Sequence, residues 1–279
     1  MAKFELDDLD IVVSAEALAE ATERIDYDVH MKYVTRIGAL SDGLSITHSL
    51  RPAINTAALR ELDPKLRIIE RTNTLLEGQV QLINDDAEYA QACVGWLPAQ
   101  VYYNLYHLLA IIEYMVTGQK VDLRISHQSC LKKFASRLAD GTVRFSCPIF
   151  NQVCDKNILK FRSKSGEVLS NSITDERLLS LVMKKIATDK LEDFKARCGL
   201  NCHKKADRQR YTKEVDGLKI SVVDFFYSMR IRTNYRDMSF LDDLDANRTR
   251  VYFLQYYETA NKFYNCLNDF KNDLIARVQ

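Results

Sequence analysis

The stretch Leu97–Gly118, LPAQVYYNLYHLLAIIEYMVTG, decides how the rest of the chain is read. At 100° per residue, Val101, Leu105, Leu108, Leu109, Ile112, Met115 and Val116 share one stripe. All are apolar, as a helix pressed against a bundle core requires. Pro98 suits a first turn, where its missing N–H costs nothing. Gly118 stands where a terminating glycine closes a helix. The opposite side carries Tyr103, His107, Ala110 and Tyr114 rather than Lys and Glu. A helix with only one buried side would be charged there, so this one is expected to be contacted on two sides and to lie centrally.

Working outward, the composition favours helix. The chain has 279 residues, 47% of them apolar, enough for one large domain or two modest ones. Only 9 Gly and 4 Pro are present, too few for a sandwich or barrel rich in tight turns. With 39 Lys and Arg against 38 Asp and Glu, global charge selects no partner. No apolar run approaches the roughly 20 residues of a membrane span. The start, MAKFELDDLDIVV, is acidic and lacks the basic opening of a secretory signal. A cytoplasmic location without membrane attachment is therefore expected. Seven cysteines, an odd number in a chain this long, read mostly as reduced thiols.

Residues 1–95 read as an N-terminal helical region and 96–279 as a bundle interrupted by a mixed insertion at about 141–220. Ser14 is placed to cap a helix from Ala15, and Val29, Tyr33, Val34 and Ile37 suggest a second short helix or strand. Ala53–Leu62 and Leu66–Asn84 read as helices parted by Asp63-Pro64. Leu131, Phe134, Ala135 and Leu138 keep helical spacing. RFSCPIF and ILKFR are candidate short strands. Thr174, followed by Asp175 and Glu176, opens another helix. Ser221–Thr233 is amphipathic. Asp245–Gln279 is the longest helix, with Phe253, Tyr256, Tyr257, Phe263, Tyr264 and Phe270 in an aromatic stripe.

Three stretches then form a pattern: YYNLYHLLAII (102–112), ISHQSCLKKF (125–134) and MRIRTNYRDM (229–238), followed by the aromatic helix. A helix carrying Tyr102, Tyr103, Tyr106 and His107 precedes a Ser126-His127 helix start and an Arg-x-x-x-Asn-Tyr turn, Arg230 to Tyr235. This resembles the HEPN superfamily, an all-α bundle, over residues 97–138 and 221–278. The resemblance implies RNA-directed function. Many members are metal-independent ribonucleases of toxin–antitoxin, abortive-infection and antiviral systems, with an Arg-x4–6-His motif paired across a dimer. The arginine clamps the scissile phosphate and the histidine moves the proton of the ribose hydroxyl.

This chain departs from that pattern, because no histidine lies between Arg230 and Leu244. Three readings stay open: a non-catalytic domain; altered chemistry at Asn234, Tyr235 and Arg236; or His107 supplying the imidazole. Arg230 also has a plain structural role open to it, as a charge at a helix C-terminus.

The segment Lys184–Lys213 holds ten basic and four acidic residues, a net of +6. Lys204, Lys205, Arg208 and Arg210 are candidates to track an RNA backbone, with Tyr103 and Arg236 as further contacts. A solvated helix face explains the same charges equally well. Cys147, Cys154, Cys198, Cys202 and His203 offer soft ligands, but their spacing fits no common zinc signature. No Walker loop, GxGxxG, GxSxG or HExxH occurs, and no metal or cofactor is assigned. The expectation is an all-α, HEPN-like protein acting on RNA in prokaryotic defence, as a homodimer or in a hetero-complex with a cognate protein. The alternative is a non-catalytic docking subunit built on the same bundle.

Overall fold

The structure, a computed structural model, describes residues 15–93, 95–119, 126–160, 170–235 and 245–278, with side chains from 28 onward except 160 and 233–235. It is mostly helical, 73% helix in ten helices with a two-stranded sheet, among the described residues. The order is α1 (Ala15–Leu40), β1 (Ile46–His48), α2 (Thr56–Arg60), α3 (Asp63–Asp85), α4 (Ala87–Ala92), α5 (Leu97–Thr117) and α6 (His127–Ala139). After these come β2 (Val143–Phe145), α7 (Asp175–Arg197), α8 (Lys205–Asp216), α9 (Asp224–Tyr235) and α10 (Ala246–Ala276).

The quoted stretch is α5. Pro98 lies in its first turn, and Gly118 closes it at φ 64°, in the left-handed region that only glycine enters freely. Sixteen of its 21 residues are buried, including Ala110 and Tyr114 on the second face. It touches α10, α9, α3 and α6, which explains why no charged face appears in its sequence apart from Glu113. That buried carboxylate is held by Arg137 (2.6 Å) and Lys133 (3.0 Å) of α6.

The second long aromatic helix, α10, starts where Asp245 accepts from the Arg248 N–H. Its Tyr252, Phe253, Tyr256 and Phe263 are among the largest fully buried side chains. The α1 helix lies close against it. A Cβ on Gly38 would come within 2.6 Å of Thr259 Oγ1, and that hydroxyl bonds the Val34 carbonyl at 3.1 Å. Residues from α1, α3 and α4 enter the same apolar cluster as α5, α9 and α10.

Three local expectations are corrected. Val29, Tyr33, Val34 and Ile37 belong to one unbroken α1, because Tyr33, Val34 and Ile37 are buried at helical spacing. Within RFSCPIF, only Arg144 and Phe145 are strand. Pro148 starts a 3-10 turn, and Asn151 accepts from the Phe145 N–H (2.7 Å) and donates to its carbonyl (3.0 Å), so a side chain replaces the next strand partner. In ILKFR, Ile158–Lys160 form another 3-10 turn, and the rest lies outside the described residues. β2 instead pairs antiparallel with β1, Ile46 opposite Phe145 and His48 opposite Val143. Much of the expected insertion is thus helical, α7 and α8, with Thr174 capping α7 as expected.

Candidate functional site

Arg230 stands on α9, and what holds α9 fixes the arginine. Ser221 and Asp224 close a turn at its start. The fully buried Asp224 carboxylate accepts from the Ser221 N–H (2.8 Å) and hydroxyl (3.1 Å). Its other oxygen takes Lys190 Nζ of α7 at 2.6 Å, and the same ammonium sits 5.3 Å from the Tyr227 ring. At the far end, Arg232 meets His30 of α1 at 2.6 Å. Burial, and then the Arg232 charge, push the His30 pKa down to about 3, so the imidazole is a neutral acceptor.

Between these anchors Arg230 reaches α5. Its Nη2 donates to Tyr103 Oη at 3.0 Å, and the guanidinium lies 5.4 Å from that ring. His127, first residue of α6, completes the group. Its Nδ1 is 3.0 Å from Tyr102 Oη, and its ring centre is 4.1 Å from Tyr106 and 5.5 Å from Tyr103. Ser126 places it by accepting from the Ser129 N–H at the helix start. Burial, the Arg230 charge and His107 together lower the His127 pKa to about 4. Tyr102, desolvated, is held well above the usual phenol range. The phenol therefore donates to a neutral imidazole, which leaves the ring proton on Nε2.

His107 sits one helical turn beyond Tyr103, their rings 6.2 Å apart. Burial lowers its pKa as well, so it too favours the neutral, proton-accepting form. Tyr103, His107, His127 and Arg230 are all half-buried, so each keeps an edge toward solvent. A cleft of about 430 Å³ opens next to this cluster, between α6, α7 and α9, with Gln128, Asp189, Asp193, Arg197 and Tyr227 in its walls.

Of the residues singled out from sequence, the structure brings Arg230, Tyr103 and His107 together. Asn234 and Tyr235 end α9, but their side chains lie outside the described residues, as does Arg236 altogether. Lys204, Lys205, Arg208 and Arg210 stand apart from the cluster, exposed on or beside α8, which packs on α7. Arg210 lies over the Phe194 ring at 5.7 Å. Sequence reasoning gave His127 no role in the site, although Ser126-His127 had marked a helix start, and it offered nothing for Tyr227, Asp224 or His30. All seven cysteines are free thiols. Among the described residues, no group of three or more His, Cys, Asp or Glu is placed to hold a metal ion, and no helix is long and apolar enough to cross a membrane. Comparison with family models, with curated proteins and with solved structures finds no match to this chain.

Proposed function

We propose that the protein is an RNA-directed effector on a HEPN-like bundle, of the kind used in prokaryotic defence and toxin–antitoxin pairs, and that the α5–α6–α9 cluster is where it meets RNA. The observation that carries this reading is the contact of Arg230 with Tyr103 beside two neutral histidines, although these residues come from three helices more than 120 positions apart at the extremes. Arg230 supplies fixed positive charge to a phosphate. The His107 imidazole accepts the proton of the ribose 2′-hydroxyl as that oxygen bonds to phosphorus, the P–O5′ bond breaks and the leaving 5′-oxygen takes a proton from water, while the His127 Nε2–H donates a hydrogen bond to a non-bridging phosphate oxygen. Tyr103 presents a ring edge for a T-shaped contact with a base. The adjoining cleft has room for a nucleobase. None of these steps calls on a metal.

The test is incubation of the purified protein with total RNA and with tRNA in chelator, beside Arg230→Ala and His107→Ala. Cleavage by the parent and its loss in both variants is expected. Absence of cleavage by the parent, across salt concentrations and with a co-purifying partner present, overturns the enzymatic reading. One feature favours the docking subunit: no histidine follows Arg230 before Leu244, so the imidazoles must come from α5 and α6.

A further inference from the structure

The cleft beside the cluster is built to do more than admit a base. Ile186 of α7 and Ile231 of α9 give its 430 Å³ apolar walls. The charged residues of its lining all come from α7: Asp189, Lys190, Asp193 and Arg197. Lys190 is committed to the buried Asp224 at 2.6 Å, and Lys185 holds Asp189 at 2.6 Å. Asp193 and Arg197 are both exposed. They stand one helical turn apart, so their Cβ atoms lie about 6 Å from each other on one face. That spacing sets a carboxylate, with two acceptor oxygens, next to a guanidinium with its fork of donors.

One base matches both groups in full. Guanine carries two neighbouring donors, N1–H and the N2 amino group, and beside them two acceptors, O6 and N7. A carboxylate takes the first pair and an arginine the second, each bidentately. Adenine, cytosine and uracil each offer the carboxylate a single donor atom. The cleft is also joined to the cluster. The ring of Tyr227, in its wall, lies 6.2 Å from that of His127 and nearly parallel to it (22°), and Gln128 continues from His127 into the lining. One nucleotide can therefore span the two, with its base in the cleft and its phosphate at Arg230 and His127. We infer that the cleft is a guanine pocket, Asp193 accepting from N1–H and N2–H and Arg197 donating to O6 and N7, so that the protein engages RNA at guanosine. This inference rests on the RNA reading of the cluster.

The test is fluorescence anisotropy of the full chain with labelled 2′-O-methyl heptamers, one all adenosine and one with a single central guanosine. The parent should bind the guanosine heptamer about tenfold more tightly. Inosine at that position lacks the N2 amino group, and 7-deazaguanosine lacks N7; each should lose most of the preference. The inosine penalty should vanish in Asp193→Ala and the 7-deaza penalty in Arg197→Ala, whereas Arg230→Ala should weaken both heptamers alike and keep their ratio. Free GMP, which lacks the neighbouring phosphates, should displace the guanosine heptamer only at concentrations at least about tenfold above the heptamer's own Kd. Equal binding of the two heptamers by the parent would overturn the guanine pocket and leave the RNA reading standing, and binding of neither would remove both. A guanosine preference that survives in Asp193→Ala and Arg197→Ala would place the recognition outside the cleft and overturn the assignment. Displacement by GMP at the heptamer's own Kd would assign the cleft to a free guanine nucleotide instead of RNA.

Discussion

Replacing Arg230 by methionine should move the protonation of a residue 103 positions away in sequence. His127 is depressed from 6.5 to about 4 by burial first, then by Arg230 and His107. The Arg230→Met variant keeps most of the side-chain volume and removes the charge together with the hydrogen bond to Tyr103, while burial and His107 continue to act on His127. The His127 pKa should then rise and settle between about 4 and 6.5. Stability follows with a definite sign. The folded pKa lies below the unfolded one, so the unfolded chain takes up the proton first. The contribution is present above 6.5 and is lost as pH falls toward about 4. At 1.36 kcal/mol per pKa unit the full effect would approach about 3 kcal/mol. The imidazole keeps a solvent-facing edge, and screening reduces this to about 1 kcal/mol. In Arg230→Met the loss should span a narrower pH range and be smaller. The assay is an NMR titration of the histidine ring carbons, with His127→Asn giving the assignment. An ordinary pKa of 6.5 for His127 in the parent, or the same value with and without Arg230, would refute the placement of these two side chains.

Other perturbations follow from the packing. Gly38→Ala gains helix propensity of about 1 kcal/mol but drives a Cβ to 2.6 Å from Thr259 Oγ1, so a net loss of about 1 kcal/mol is expected by urea unfolding. Pairing it with Thr259→Ala should give a less than additive loss. Lys190→Ala strands the buried Asp224 carboxylate and should cost about 3 kcal/mol, whereas Lys190→Met with Asp224→Asn should recover most of it. Glu113→Ala leaves Arg137 and Lys133 without their shared carboxylate and should cost about 3 kcal/mol, read as a fall in melting temperature.

Long helices with strong periodicity were legible in the sequence, and short pairings were not. Pro98, Gly118 and the stripe from Val101 to Met115 define α5 by local rules alone, and the aromatic stripe does the same for α10. β1 has three residues, Ile46 to His48, within an irregular stretch, and only its pairing with Val143–Phe145 makes it a strand. The α1 helix through Val29–Ile37 packs on α10, whose Thr259 bonds the Val34 carbonyl from 225 positions away, a contact with no local signal. In the site, the juxtaposition of the tyrosine-rich helix and the arginine was legible from the order of the motifs. The role of His127 was not, because its acceptor state depends on Tyr102, Tyr106 and Arg230 arriving from two other helices. The contact between His30 and Arg232 has no local signal at all.

The central claim, that α5, α6 and α9 form one RNA-binding site around Arg230, is tested most directly by equilibrium binding of a 2′-O-methylated RNA oligonucleotide, which can bind but not be cut. Fluorescence anisotropy should show Arg230→Ala, at a temperature where both proteins are folded, binding at least about tenfold more weakly than the parent, the loss of one charged hydrogen bond to phosphate. Equal affinity in the two proteins, or no binding by the parent, would contradict it.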